Sequence, residues 1–239
     1  MNMQAKAVII LALVISAVIG YLLGGVNWAI ILTRIVQRKD IRDQGSGNAG
    51  MTNVLRSVGK LPALLTFAGD FLKCVIAVLL SQLIMNWMFM NPDVLLSPDY
   101  APTAELLRCA RYAAGAACVV GHIFPVYYGF RGGKGIVAAA AMIALTDWRV
   151  FLAVIATFGL LFLWRKIISL ASVTCAALYP VYTFLIVFLV DFQRWGRPVW
   201  YLLTAVGVSL FVGALVLIKH RANIGRLLRG EEKPIVGRK

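Results

Sequence analysis

Apolar residues along this chain come in long runs broken by short polar segments, and the run lengths predict the elements. Ala7 to about Leu32 is nearly unbroken and, at about 20 residues per crossing, is long enough for one membrane helix, with a weak point at Gly24-Gly25 and Asn27. It is too long for the apolar core of a signal peptide, and no cleavage triplet follows. Further spans are predicted over Leu61 to Met90, Ala104 to Val120, Val150 to Trp164, Ile167 to Val190 and Val199 to Ile218. Ile136 to Thr146 is apolar but short, and counting it makes seven candidate spans. The second span carries Asp70 and Lys73, one helical turn apart, where ionisable groups must face protein or water rather than lipid.

Composition agrees with this pattern. The chain is 239 residues, 61% hydrophobic and 14% charged, with a net charge of +14. So little charge and such long apolar runs exclude an ordinary soluble domain. The chain reads as one polytopic, all-α membrane domain over residues 1–239. Its basic residues lie beside spans, so they report orientation and lipid contact rather than nucleic acid, which is not expected as a partner. Alternating the spans places 34–60, 121–135, Arg165-Lys166 and the tail from 219 on one side with seventeen Lys and Arg, against four on the other. The positive-inside rule then puts the N-terminus in the periplasm and the tail in the cytoplasm. The prediction depends on the short fourth run crossing, because without it the tail changes side. Asn91 to Thr103, a loop with aspartates and prolines but no lysine or arginine, falls on the periplasmic side.

Three polar segments, 34–60, 121–135 and 219–239, therefore meet one aqueous face. The first contains Gly45-Ser46-Gly47-Asn48-Ala49-Gly50-Met51-Thr52-Asn53, ending at Arg56. Its glycines permit a nest of backbone N–H groups, Ser46, Asn48, Thr52 and Asn53 add short donors, and Arg56 adds a guanidinium fork suited to phosphate. The second runs from Gly121-His122 through Arg131 to Gly132-Gly133-Lys134-Gly135, and the third holds His220, Asn223, Arg226, Glu231 and Glu232. Together they offer cations and donors for anions, most economically phosphate groups. His122 and His220 are candidates for acid–base work, and His220, Asn223 and Arg226 share a helical stripe. Glu231 and Glu232 either pair with these cations or are solvated.

Several activities fail on their motifs. The second segment is not a nucleotide-binding Walker loop, since Gly135 stands where serine or threonine is required and no strand precedes it. There is no H-x-x-x-x-D, no paired aspartates of metal-dependent alcohol phosphotransferases and no G-x-S-x-G elbow. The four cysteines are isolated inside apolar runs and the two histidines match no ligand spacing, so neither metal nor cofactor is implied. A transporter of phosphorylated metabolites is the alternative from another class, but such proteins bind at mid-bilayer between internal repeats, and no repeat is found. A structural scaffold leaves the three segments without purpose.

The three segments together resemble the bacterial acyl-phosphate-dependent glycerol-3-phosphate acyltransferase family. Its patterns are similar to S-G-N-x-G-A-T-N-x-x-R, G-H-x-F-P-x-x-x-x-F-x-G-G-K-G and H-x-x-N-I-x-R-L-x-x-G-x-E, matched here by Ser46 to Arg56, Gly121 to Gly135 and His220 to Glu232. Met51 departs from the family's usual alanine while leaving every polar group in place. The resemblance implies an inner-membrane enzyme of phospholipid synthesis that moves an acyl group from acyl phosphate to the 1-hydroxyl of sn-glycerol 3-phosphate, giving lysophosphatidic acid and inorganic phosphate. Its site would face the cytoplasm, with membrane lipid around it and a functional link to the enzyme supplying acyl phosphate. The expected catalytic set is Ser46, Arg56, Lys134, His220 and Asn223. Substrate phosphate is expected at Gly45, Gly47, Asn48, Gly50, Thr52, Asn53, His122, Gly132, Gly133, Gly135 and Arg226.

Overall fold

A computed structural model describes residues 3–90, 103–232 and 234. Among them every regular element is helical. The loop predicted at Asn91 to Thr103 lies outside the described residues except for Thr103, whose hydroxyl accepts from the Leu106 amide and caps the next helix. Six helical stretches are long and apolar enough to cross a membrane. The chain divides into two compact units, 1–146 and 147–239.

In the first unit the leading apolar run is two helices, α1 (Met3–Gly25) and α2 (Trp28–Gln37). The break falls at the weak point read from the sequence. Asn27 leaves the helical conformation and its side chain accepts from the Ile30 amide, capping α2. A three-residue turn (Ile41–Asp43) leads to α3 (Met51–Ser57) and the long α4 (Lys60–Met90). Next come α5 (Ala104–Ile123), a turn at Val126–Tyr128 and α6 (Ile136–Thr146).

Small residues set the central packing. A side chain on Gly20 or Gly24 of α1 would overlap the backbone of Ala114 or Cys118 of α5, and one on Gly121 would overlap Tyr21. This is the close approach that small residues four apart allow between membrane helices. The matched order of contacts makes α1 and α5 parallel, so the chain leaves both at the same end of the unit. α6 runs back along α5. A side chain on Gly135 would meet Val119 and Ile123, Met142 fills the space over Gly115, and Arg111 donates to the Leu145 carbonyl at 3.0 Å.

With 11 residues, α6 is about 16 Å long, roughly half of a 30 Å hydrocarbon core. Its buried positions, Ala138, Ala139, Ala141, Met142, Ile143 and Thr146, pack against α4 and α5. The described residues thus hold six full-length candidate spans and one short buried helix where the sequence suggested seven spans.

In the second unit, α7 (Trp148–Arg165), α8 (Ile168–Ile186) and α9 (Val199–Lys219) are the long helices, and α10 (Arg221–Leu228) carries the tail. α8 continues as a wider π-helix over Val187–Arg194, past the predicted end at Val190. That extension carries a buried ionic cluster. Asp191, fully buried, meets Arg149 and lies 3.1 Å from Arg197. Arg149 also pairs with Asp147, the N-cap of α7, and both arginines lie over the Trp195 ring. The helix therefore ends on a buried ionic cluster rather than at its last apolar residue.

Candidate active site

The first polar segment is folded around Asn53. Its amide nitrogen donates to the carbonyls of Ile41, Gln44 and Asn48 at 3.1, 2.9 and 3.1 Å. Its oxygen accepts from the Ser46 amide at 3.0 Å. Gly45 and Gly47 adopt positive φ (53° and 69°), the turns that bring these carbonyls onto one side chain. The amides of Ser46, Gly47 and Gly50 are taken within the loop, by Asn53, Gln44 and Asn48 respectively. Much of the nest read from the glycine spacing therefore holds the loop together, and Asn53 is its organiser.

On the outer side of the segment Ser46 and Arg56 are exposed, while Asn48 and Thr52 are half-buried. Thr52 and Arg56 stand one turn apart on the same face of α3, with the buried Asn53 beside them and the buried Val54 on the opposite face. Met51 joins the apolar cluster of Ala29, Ile30, Ile41, Ala49, Val54 and Ala63, so it is absorbed without displacing Thr52.

The second segment folds back on the end of α5. The Gly132 amide donates to the Ile123 carbonyl at 3.2 Å, and the Gly133 amide donates to the His122 carbonyl at 3.1 Å. A side chain on Gly132 would overlap the His122 carbonyl and Pro125, and one on Gly133 would overlap the His122 ring and the Ala49 carbonyl. These two glycines serve close approach, and their amides are engaged. Gly135, at φ 81°, turns the chain into α6. Arg131 remains exposed and Lys134 is half-buried.

The first two segments thus meet at Ala49 and Gly133. Asn27 fastens the same point, donating to the Ala49 carbonyl at 3.4 Å. On the other flank Arg42 donates to the carbonyls of Tyr128 and Arg131 at 2.8 and 3.3 Å. Asp40 aligns that guanidinium with two contacts of 2.9 Å and binds Arg34 at 2.8 Å. Arg42's hydrogen bonds hold the Asp40 carboxyl well below the usual carboxylate range despite its partial burial. Sequence reading did not single out Asp40 and Arg42 as site residues, because an acid and a base two positions apart in a polar loop is too common a pattern to mark a brace.

Beneath the junction lies a buried ionic group. Lys73 contacts Asp70 at 2.8 Å, donates to the Val26 carbonyl at 2.6 Å and lies 3.0 Å from His122 Nδ1. His122, only 4% exposed, is thus a buried neighbour of the junction rather than an open surface group.

The third segment belongs to the second unit. His220, 3% exposed, has Nδ1 2.8 Å from the Val216 carbonyl, which can only accept, so Nδ1 carries a proton. Asn223 and Arg226 both reach Glu232, at 2.8 and 2.6 Å, and Ser169 donates to the same carboxylate at 2.7 Å. Burial, the largest single influence on the Glu232 carboxyl, pushes it up, but the hydrogen bonds from Arg226, Ser169 and Asn223 together bring it below its ordinary value. Of the two fates open to the acidic pair in the tail, Glu232 takes the ion pair. Glu231 pairs with Arg229 at 2.8 Å on the surface. Among the described residues no three His, Cys, Asp or Glu side chains gather as a metal site would require.

Comparison with known proteins matches this organisation. A family model of glycerol-3-phosphate acyltransferases covers residues 14–230. A glycerol-3-phosphate acyltransferase of Thioalkalivibrio sulfidiphilus is 40% identical over 228 residues, covering 95% of this chain and 94% of that protein. That of Caulobacter vibrioides is 38% identical (98% and 92% covered), and that of Clostridioides difficile 36% (95% and 97%). Among solved structures, the glycerol 3-phosphate form of PlsY (YgiH), an integral membrane glycerol 3-phosphate acyltransferase, superposes with a TM-score of 0.70 at 30% identity, covering 94% of this chain and 96% of that one. Its lysophosphatidic acid form gives a TM-score of 0.67 at 29% identity, covering 93% and 94%. This chain, a multi-pass integral membrane acyltransferase, belongs to the glycerol-3-phosphate acyltransferase family.

Proposed function

We propose that the protein transfers a fatty acyl group from acyl phosphate to the 1-hydroxyl of sn-glycerol 3-phosphate, releasing inorganic phosphate and forming lysophosphatidic acid. The observation that carries this reading is the Ala49–Gly133 junction. It sets Ser46, Thr52, Arg56 and Arg131 near the surface, with half-buried Lys134, on two segments braced by Asn53 and Arg42. A braced donor array of this kind suits two phosphate-bearing reactants. PlsY, the structural relative, was solved with glycerol 3-phosphate and with lysophosphatidic acid.

An acyl phosphate is a mixed anhydride and already activated. The hydroxyl oxygen attacks the carbonyl carbon, the carbon–oxygen bond to phosphate breaks, and phosphate leaves with the bonding pair. The hydroxyl proton passes to His220 Nε2 or to a phosphate oxygen. The residues' task is to orient two anions and to stabilise the oxyanion, with Arg56 and Lys134 as the main cations and Ser46, Asn48 and Thr52 as donors. In this reading Asn223 orients the attacking hydroxyl and Arg226 holds charge beside it.

The same reading places the N-terminus in the periplasm, the tail in the cytoplasm and the site at the cytoplasmic face of a bacterial inner membrane. Seventeen Lys and Arg against four support that orientation. It counts α6 as a seventh crossing, short but sheltered from lipid by α4 and α5, which is where sub-length helices are tolerated. It takes residues 1–239 as one polytopic membrane domain, with a functional link to the enzyme that makes acyl phosphate.

The test is donor choice. Purified protein given glycerol 3-phosphate is expected to release phosphate from acyl phosphate and to leave acyl thioesters untouched. Transfer from a thioester with none from acyl phosphate overturns the reading.

A further inference from the structure

The buried group under the junction has no part in the chemistry above. We propose that Asp70 and Lys73 are a positioning pair for this site: they hold His122 as a neutral ring with its proton on Nε2, presented to the point where the two donor segments meet. The inference rests on the acyl-transfer reading only for its effect on rate.

The argument starts from lone pairs. An ammonium has none, so the 3.0 Å contact between Lys73 Nζ and His122 Nδ1 requires Nδ1 to accept. The other candidate partner of Nδ1, Asp70 Oδ1, is farther away at 3.5 Å. Side chains of Asp70, Lys73 and His122 are 5% exposed or less. One carboxylate and one ammonium in that space sum to zero, and a protonated ring would add an uncompensated charge. The proton therefore sits on Nε2, and Nε2 is the ring atom that a side chain on Gly133 would overlap first.

Lys73 has a second hold. Its bond to the Val26 carbonyl lies at the break between α1 and α2, one residue before Asn27, which fastens Ala49. The ammonium thus joins the three elements that locate the junction: the broken first span, α4 and the end of α5. Asp70 neutralises it. His220 provides an internal contrast, since its contact with the Val216 carbonyl puts the proton on Nδ1. The two histidines of the chain are fixed as opposite tautomers.

Because there are only two histidines, ring-15N labelling of the full protein reads both directly. The parent protein is expected to show His122 protonated on Nε2 and His220 protonated on Nδ1. A His122 ring protonated on Nδ1, or on both nitrogens, overturns the inference without any variant. The second arm is Asp70→Asn with Lys73→Met, which removes both charges together and leaves no orphan ion. In it the His122 signal is expected to become a tautomer mixture, and kcat/KM to fall about tenfold or more through misplaced donors. A His122 signal identical to the parent's overturns the inference, as does a wild-type kcat/KM. A parent protein that shows the Nε2–H ring but no acyl-phosphate activity overturns the acyl-transfer reading and leaves the ring assignment standing.

Discussion

Arg42 donates to the Tyr128 carbonyl at 2.8 Å, tying together residues 86 positions apart. With its second contact to Arg131 it straps the loop leading to Lys134 against the loop leading to Arg56. Replacing Arg42 by alanine removes charge-assisted hydrogen bonds to two carbonyls and leaves Asp40 with Arg34 alone, a loss of about 2 kcal/mol for a partly exposed group. The expected result is a lower thermal midpoint in detergent and a reduced kcat/KM. Arg42→Lys should fall between the two, because a single ammonium cannot serve Asp40 and Tyr128 with the same fork.

Asn53 is expected to be intolerant of nearly isosteric change. In Asn53→Asp the three carbonyls that now accept from its amide nitrogen would face a group that only accepts. Unsatisfied buried carbonyls cost about 1–3 kcal/mol each before the added charge is considered. Asn53→Asp should therefore lose activity together with thermal stability, and a variant with an unchanged midpoint would show that the loop is held by something else.

Arg56 should behave in the opposite way. Its side chain is exposed on α3, so Arg56→Gln is expected to leave the midpoint within about 1 °C of the parent. Its rate should fall at least thirtyfold, about 2 kcal/mol of transition-state stabilisation. Lys134→Gln is expected to lose a similar amount of rate. Near-normal turnover in either variant removes that residue from the site.

The Glu232 clamp has a pH signature. Its carboxyl is held below the ordinary value, so the folded protein gains from the charged form. That gain is complete above about pH 4.3, the usual value for an unfolded glutamate, and disappears as pH falls through the lower folded value. Thermal midpoints measured from pH 7 down to pH 3 should show an acid-side decline that is shallower in Glu232→Gln. At pH 7 the same substitution should cost about 1–2 kcal/mol, since Arg226 is partly open to water.

Topology can be tested without disturbing the site. The four native cysteines are buried, so added ones at exposed Asp43, Val126 and Ala222 report on their own. In intact cells a membrane-impermeant maleimide should leave all three unlabelled, and each should react once the membrane is opened. Labelling of Ala222→Cys alone from outside would mean that α6 does not count as a crossing.

Much of this protein was written in its amino-acid pattern. Spans are legible because a membrane demands about 20 consecutive apolar residues, a requirement local to each run. The break at Asn27 was legible for a similar reason, since a short polar side chain in an apolar helix is a capping signal. Segments 45–56, 121–135 and 220–232 stood out as polar islands, and their residue types already pointed to phosphate. What each residue does inside its island was settled only by folding. Asn53 and Thr52 are adjacent and both polar, yet one is buried among three carbonyls and the other shares the outer face with Arg56. Gly132 and Gly133 suggested free amides, but the end of α5 takes both. Glu232 joins Ser169, which lies 63 positions earlier. Such assignments depend on partners brought from elsewhere in the chain, and hydrogen-bonding capacity is spent wherever burial makes it most costly to leave unmet. Periodicity and composition carry no record of that distance, so only the tertiary structure separates the groups that brace the site from those left facing substrate.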